Sequence, residues 1–342
     1  MGSPLGHDHD LGLADIAHVP VSWLARPSAT IELLERHGLH TKKRLGQHFL
    51  VDENVVVRIL QVAALTADDV VVEVGPGIGT LTVALCEAAG AVVAVERDMT
   101  LDPALKETTS PYRQFALVSA DATKVATADL ERPFGSPTAL VANLPYQVAA
   151  TVILRFFEEI PTLRHATVMV QAEVADRIAA TPGSKDWGSY SVKLRMLAEP
   201  VARFNVAATC FLPPPRVSST VIRLERGTET FSPDLRAHVV RAADAAFTQR
   251  RKTIRNSLRA GLGMSDERVD QILAQAGIDA GIRAEELSLA SFIDLGYALM
   301  DALMGTLPES NRQDPVTISL DSDSRQDPGQ TSGQNPRSPK SS

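Results

Sequence analysis

At 342 residues the chain is long enough for one large or two modest domains with a sizeable core, and its make-up (44% hydrophobic, 22% charged, 5% aromatic) is that of a soluble globular protein. No apolar run reaches the roughly 18 residues that span a bilayer, and no basic segment followed by an apolar core opens the chain, so a cytoplasmic protein without membrane contact is expected. Cys86 and Cys210 stand alone, which speaks against a metal site and against a disulfide framework. The net charge of −7 looks wrong for a nucleic-acid partner, but residues 1–40 carry −3 of it and residues 306–342 carry −1, leaving −3 for the middle. Any such affinity must therefore come from local patches.

Residues 1–29 show no sustained period and read as a mobile extension, although a short helix closed by Gly38 is expected at 30–37. From there the pattern alternates strand and helix. Val70–Val74 is a β-branched run followed at once by Gly75-Pro-Gly-Ile-Gly79, and residues 81–89 read as a helix ended by Gly90. Further strands are expected at 91–95, ending on Glu96, at 116–119 with Asp121 beyond, and at 139–142 with Asn143 beyond. Residues 166–170 continue as strand and 173–180 as helix, with strand-like segments at 192–197 and 217–224. Helical patterns then occupy 235–247, 253–258, 266–276 and 290–304. The last 37 residues, 306–342, are rich in Ser, Pro, Gln, Asp and Gly and read as a disordered tail.

Alternating strands and helices predict an α/β, Rossmann-like, mostly parallel sheet with helices on both faces, spanning residues 30–229. The run of helices after it predicts a smaller all-helical domain at 230–305. In open parallel sheets ligands bind beyond the carboxyl ends of the strands, where Gly75, Glu96, Asp121 and Asn143 all fall.

The glycine-rich turn lets backbone approach a ligand closely, and an acid 21 positions after Gly75 suits two ribose hydroxyls. On spacing alone this fits NAD or S-adenosylmethionine. Thr80 stands where the dinucleotide fingerprint wants its third small residue, whereas Glu73 completes the Glu-x-Gly-x-Gly-x-Gly form found in methyltransferases, its carboxylate suited either to anchor the glycine loop or to answer the positive end of a methionine moiety. Asn143-Leu144-Pro145-Tyr146 answers a specific chemical problem. An exocyclic adenine amine is a poor nucleophile because its lone pair is delocalised into the ring. The Asn143 side-chain carbonyl and the Leu144 backbone carbonyl can each accept an N6–H, pulling nitrogen toward tetrahedral geometry and stabilising the charge that grows on it. Pro145 stiffens the loop, and Tyr146 can stack on a flipped-out base.

These residues resemble the Asn/Asp-x-Pro-Tyr adenine-N6 methyltransferases, and more narrowly the KsgA/RsmA-type rRNA adenine dimethyltransferases. Residues 42–51 (Lys-Lys-Arg-Leu-Gly-Gln-His-Phe-Leu-Val) are similar to that family's opening motif, which folds over the cofactor. Phe211-Leu-Pro-Pro-Pro-Arg-Val217-Ser-Ser resembles its later motif, and residues 246–258 its C-terminal one; the likeness covers about residues 30–305. It implies a class I methyltransferase using S-adenosylmethionine, with cofactor contacts at His48, Leu50, Gly75, Gly77, Glu96, Asp121 and Asn143. It also implies that Phe211 stacks on the target adenine opposite Tyr146. The opening motif often has Asn where this chain has His48.

The implied reaction is dimethylation of two adjacent adenosines near the 3′ end of small-subunit (16S) rRNA in the assembling 30S particle, for which a monomer suffices. An Erm-type large-subunit methyltransferase shares several of the motifs, and an assembly factor using the fold only to bind RNA belongs to another class. The Gln-Arg-Arg-Lys-Thr-x-Arg-Asn run at 249–256 favours the first reading. Read as one helix, residues 247–259 place Phe247, Ile254 and Leu258 on one stripe and Lys252, Arg255 and Arg259 on its neighbour. With Arg250 and Arg251, that stripe would face phosphates, and Lys42, Lys43 and Arg44 would form a second patch.

Overall fold

A computed structural model describes residues 21–39 and 47–305, so most of the expected N-terminal extension, the basic triplet Lys42, Lys43 and Arg44, and the expected tail lie outside the described residues. Chain order begins α1 (Pro27–Arg36), β1 (Phe49–Leu50), α2 (Glu53–Ala63), β2 (Val70–Val74), α3 (Thr80–Ala88), β3 (Ala91–Glu96), α4 (Asp102–Thr109) and β4 (Phe115–Ser119). It continues α5 (Thr127–Glu131), β5 (Ala139–Asn143), α6 (Ala149–Glu159), β6 (His165–Gln171), α7 (Ala172–Ala179), α8 (Ser189–Arg195) and β7 (Ala198–Val206). β8 (Phe211–Leu212), β9 (Ser219–Arg226), α9 (Pro233–Ala246), α10 (Ile254–Leu262), α11 (Asp266–Gln275) and α12 (Leu289–Met304) complete it.

Seven strands form one sheet in the order β4-β3-β2-β5-β6-β9-β7. The first five are parallel; β9 runs antiparallel to β6, and β7 runs antiparallel to β9 at the far edge. The valine run of β2 is buried on both faces because alternate residues meet different helices. Val72 and Val74 share a core with Leu130 of α5, Val152 and Phe156 of α6 and Ile178 of α7. Val71 packs on the opposite face with Ile59 of α2 and Leu81 and Leu85 of α3. The expected α/β sheet with helices on both faces is what the chain forms. From β2 the chain runs outward through β3 to β4, then returns to β5 on the other side of β2. That reversal opens a crevice at the carboxyl ends of β2, β3 and β5.

Beyond β9 the chain is helical. Asp52, Ser232, Ser265 and Ser288 cap α2, α9, α11 and α12 by accepting backbone N–H bonds, which is why those helices start where they do. Leu235, Val239, Ile254, Leu258, Leu273, Phe292 and Leu299 form a separate apolar cluster. The segment 192–197 differs from expectation: it is α8 and the turn after it, with β7 beginning only at Ala198. The reason is burial on two sides. Leu194 belongs to the sheet core, while Val192 and Met196, with Trp187, belong to the helical cluster. Its apolar residues alternate with Lys193 and Arg195 as in a strand, and over so few residues that pattern does not separate helix from strand.

The helices approach closely at two glycines. A Cβ on Gly261 of α10 would lie 2.5 Å from Ala245 Cα, and one on Gly296 of α12 would lie 2.3 Å from Val239 Cγ2. Gly261→Ala is therefore expected to lose about 1–3 kcal/mol of stability through overpacking. Gly281→Ala, where a Cβ meets only a side-chain oxygen at 3.4 Å, should stay within about 0.5 kcal/mol of wild type. Urea denaturation of both variants checks the pair.

Candidate active site

A cavity of about 450 Å³ lies at the crevice, within the roughly 300–1,000 Å³ common for small-molecule sites. His48, Leu50, Gly75, Gly77, Glu96, Asp121, Asn143, Leu144, Pro145 and Tyr146 all line it. Its first wall is the glycine turn. Gly75, Gly77 and Gly79 have φ of +72°, +61° and +96°, a region that side chains disfavour. A Cβ on Gly75 would lie 3.3 Å from the Pro145 ring, and one on Gly77 would lie 3.3 Å from the Phe49 ring. The bare backbone thus lets the Asn143–Tyr146 loop on one side and Phe49 of β1 on the other close around the cavity.

Three acids stand around that turn. Glu96 ends β3, and its Oε1 accepts the N–H groups of Arg97 at 2.8 Å and Asp98 at 2.7 Å. Burial raises its pKa, while these donors and the Gly77 N–H oppose the rise. Asp121 accepts the Thr123 hydroxyl at 2.7 Å and the Thr123 N–H at 2.9 Å, which hold its carboxyl below the usual range. Glu73, on β2, is 1% exposed and burial pushes it up to about 8. The reading from spacing offered Glu73 either as an anchor of the glycine loop or as a partner for a cationic ligand group; the structure places it in the cavity lining and adds the raised pKa.

Asn143 is the last residue of β5. The loop after it is held by the Leu144 N–H donating to Met169 O at 3.0 Å and by the Val148 N–H donating to Pro145 O at 3.1 Å. Tyr146 shares a 2.7 Å hydrogen bond with the hydroxyl of Ser219, a fully buried residue at the start of β9. Asn143 Nδ2 donates to His48 O at 3.5 Å, which leaves the side-chain carbonyl as the acceptor for a ligand.

The roof comes from two distant motifs. β1 pairs antiparallel with β8, Phe49 opposite Leu212 and Leu50 opposite Phe211. Val51 N–H donates to Cys210 O at 2.8 Å, and His48 Nδ1 bonds Pro213 O at 2.7 Å. A carbonyl only accepts, so Nδ1 carries a proton. The His48 ring stands 6.2 Å from the Tyr146 ring at an interplanar angle of 26°. Phe211 departs from expectation. It is 2% exposed, packs with Leu50, Val206 and Val221, and is not among the residues lining the cavity. Its place in the β1–β8 ladder turns it into the core, and the ring facing Tyr146 is that of His48.

The description that matches residues 38–300 is "Ribosomal RNA adenine dimethylase". The chain belongs to this family. It is therefore a methyltransferase of the rRNA adenine dimethylase type. Curated relatives agree. A protein named "Ribosomal RNA small subunit methyltransferase A" from Kineococcus radiotolerans is 45% identical over 265 residues, 76% of this chain and 87% of that one. One of the same name from Rhodococcus erythropolis is 44% identical over 280 residues, 80% and 92% of the two chains. Among solved structures, a dimethyladenosine transferase from Plasmodium falciparum shares the fold with TM-score 0.60 at 21% identity, covering 72% of this chain and 96% of that one. The 23S rRNA methyltransferase ErmE gives TM-score 0.55 at 28% identity, covering 73% and 99%. No helix among the described residues is long and apolar enough to cross a membrane.

In this family member the basic run is not one continuous helix. α9 ends at Ala246 and α10 begins at Ile254, with turns between. Arg250 donates to the carbonyls of Lys185 at 2.7 Å and Trp187 at 2.8 Å, joining the turn to the chain before α8. Arg255 makes hydrogen bonds of 2.6 and 2.8 Å to Asp270, which raise its pKa, and pairs with Asp266 at 3.2 Å. Arg259 pairs with Asp266 at 3.3 Å. Charge counting missed these partners because the two aspartates lie on the next helix. Arg251 and Lys252 are exposed in the turn; the Lys252 N–H donates to Gln249 O at 2.9 Å, and neither side chain is in a hydrogen bond or ion pair among the described residues. Arg250→Ala is expected to cost about 1–3 kcal/mol by stranding two carbonyls, whereas Arg251→Ala leaves stability within about 0.5 kcal/mol. Thermal melts of the two variants check this.

Proposed function

We propose that the chain uses S-adenosylmethionine to dimethylate N6 of two adjacent adenosines near the 3′ end of small-subunit rRNA, as a cytoplasmic monomer acting on the assembling 30S particle. The observation that carries the reading is the convergence, in one cavity, of the glycine turn, Glu96 and Asp121 with the Asn143–Tyr146 loop. The relatives' names add the small subunit as substrate.

The residues present fit this cofactor. The glycine turn offers bare backbone, Glu96 presents a carboxylate to ribose hydroxyls, and Asp121 is an acceptor suited to an adenine amine. His48, Leu50, Gly75 and Gly77 complete the set that would hold it. When bound, S-adenosylmethionine supplies a methyl group on a sulfonium. Asn143 Oδ1 and the Leu144 carbonyl then accept the two N6–H bonds, aim the nitrogen lone pair out of the ring plane and stabilise the positive charge it gains. The extra proton becomes acidic on transfer and passes to solvent, so the loop needs no strong base. Tyr146, with its hydroxyl fixed on Ser219, presents a ring face to the base, and His48 offers the ring across from it.

For RNA, residues 230–305 are read as a helical binding module beside the methyltransferase part at 30–229. Arg251 and Lys252 are its exposed cations, Arg250 and Arg255 have mainly internal partners, and Lys42, Lys43 and Arg44 are retained from the sequence as a second basic patch.

Incubation with labelled S-adenosylmethionine and immature small or large subunits, followed by mapping of the modified base, tests the substrate. Label confined to large-subunit RNA would point to the Erm-type reaction, and RNA binding without label would point to an assembly role. Asn143→Ala should lower kcat by at least roughly 10²–10³-fold. Tyr146→Ala should lower transfer by about 10–100-fold, matching the roughly 1–3 kcal/mol of one stacked base. Filter binding should show RNA affinity largely retained in both. Near-wild-type turnover by Asn143→Ala would remove the N6 contact from the mechanism.

A further inference from the structure

We infer that Glu73 is the counter-ion of the cationic cofactor and surrenders its carboxyl proton when that cofactor binds, so that loading the site releases a proton from the cavity floor. The inference rests on the cofactor reading above and adds a residue and a proton to it.

Glu73 lines the cavity from β2 yet is 1% exposed. Its Oε2 makes no hydrogen bond, and the buried hydroxyl of Thr80 at the start of the neighbouring α3, which also lines the cavity, is likewise without a partner. Polar atoms buried in this way normally have partners, and two of them lining one cavity mark a place where a polar ligand group belongs. The charged and titratable groups around Glu73 give it no help. Glu96, from β3, adds like charge, and Cys86, on α3, is pushed up to about 12 and stays neutral. Among the described residues no Lys, Arg or His forms an ion pair with Glu73. A carboxylate here would be a buried charge with no cation beside it, so the ligand-free site holds the neutral acid: burial pushes its pKa up to about 8, the Thr82 hydroxyl opposes the rise in part and Glu96 adds to it.

S-adenosylmethionine carries a sulfonium and an ammonium. Either, set beside Glu73, favours the carboxylate, and the proton leaves to solvent. The sign follows by linkage. The free site is protonated up to about pH 8 and the loaded site is ionised below it, so cofactor affinity rises close to tenfold per pH unit between pH 6 and 8 and then levels. The ligand-free protein shows the counterpart. Because the folded carboxyl titrates above its ordinary 4.5, the Glu73 contribution to stability is fully present below about pH 4.5 and is lost as pH rises toward about 8.

The test is calorimetric titration of the full chain with S-adenosylmethionine at pH 7, in phosphate and in Tris, whose ionisation enthalpies differ. The ligand's own amino group titrates in the same way whichever enzyme binds it, so the difference between wild type and Glu73→Gln isolates the protein's proton. Wild type should release close to one proton more than Glu73→Gln, and the variant's affinity should lose its pH slope. Equal proton counts would overturn the inference while leaving the cofactor reading intact, as would a proton that persists in Glu73→Gln and disappears in Glu96→Gln. Absence of any binding by wild type would overturn both. Should Glu73→Gln fail to fold, infrared difference spectra of wild type decide: the carbonyl stretch of a protonated carboxyl must vanish on cofactor addition, and its persistence overturns the inference.

Discussion

The site depends on one close approach. Pro145 lies 3.3 Å from where a side chain on Gly75 would begin, so the turn after β2 and the loop after β5 are in contact only because Gly75 has none. The parallel pairing of β2 with β5 brings the two strands together, with Val71 opposite Ala139 and Val72 opposite Leu140. It cannot by itself set how closely their exits pack. The positive φ of Gly75 and the rigid ring of Pro145 do that. In the proposed reaction a methyl donor held by the first turn and an amine held by the second must meet in line, and a displacement of about 1 Å is costly in such reactions.

Closure from above uses the same economy of backbone. The Gln47–Leu50 stretch and the Cys210–Pro213 stretch are about 160 positions apart, yet they form a short ladder supplemented by the His48–Pro213 hydrogen bond. Because Asn143 also donates to His48 O, the amide proposed to orient the substrate is anchored to the roof. Tyr146, through Ser219, is anchored to β9. The Asn143–Tyr146 loop is thus fixed from different parts of the chain, through Asn143, Leu144 and Tyr146, which is how a segment without regular structure keeps a defined shape.

Much of this was legible in the sequence. β-branched runs ending on Gly75, Glu96 and Asn143 announce parallel strands and the side on which their ligands sit, because strand period and turn chemistry are local. What stayed hidden depended on contacts between distant segments. Residues 192–197 alternate apolar and polar as a strand does, but two cores claim them and they form α8. Phe211 belongs to a motif whose aromatic the resemblance placed on the base, yet its pairing with Leu50 buries it. Glu73 was visible as a motif letter, while its charge state arises from the burial that folding imposes.

The paired arginines have a consequence for how this enzyme responds to its ionic surroundings. Nucleic-acid affinity falls with salt because each phosphate neutralised by a protein cation sets free a condensed counterion. A guanidinium already neutralised by aspartates brings no such gain unless its own pair first breaks. Of the five cations between residues 250 and 259, Arg255 and Arg259 are held by Asp266 and Asp270, so that stretch contributes at most three to the salt exponent. The same salt also loosens those internal pairs, which partly restores the lost cations as the bulk concentration climbs. A logarithmic plot of affinity against salt for this enzyme should therefore be shallower than its basic motif suggests, and curved.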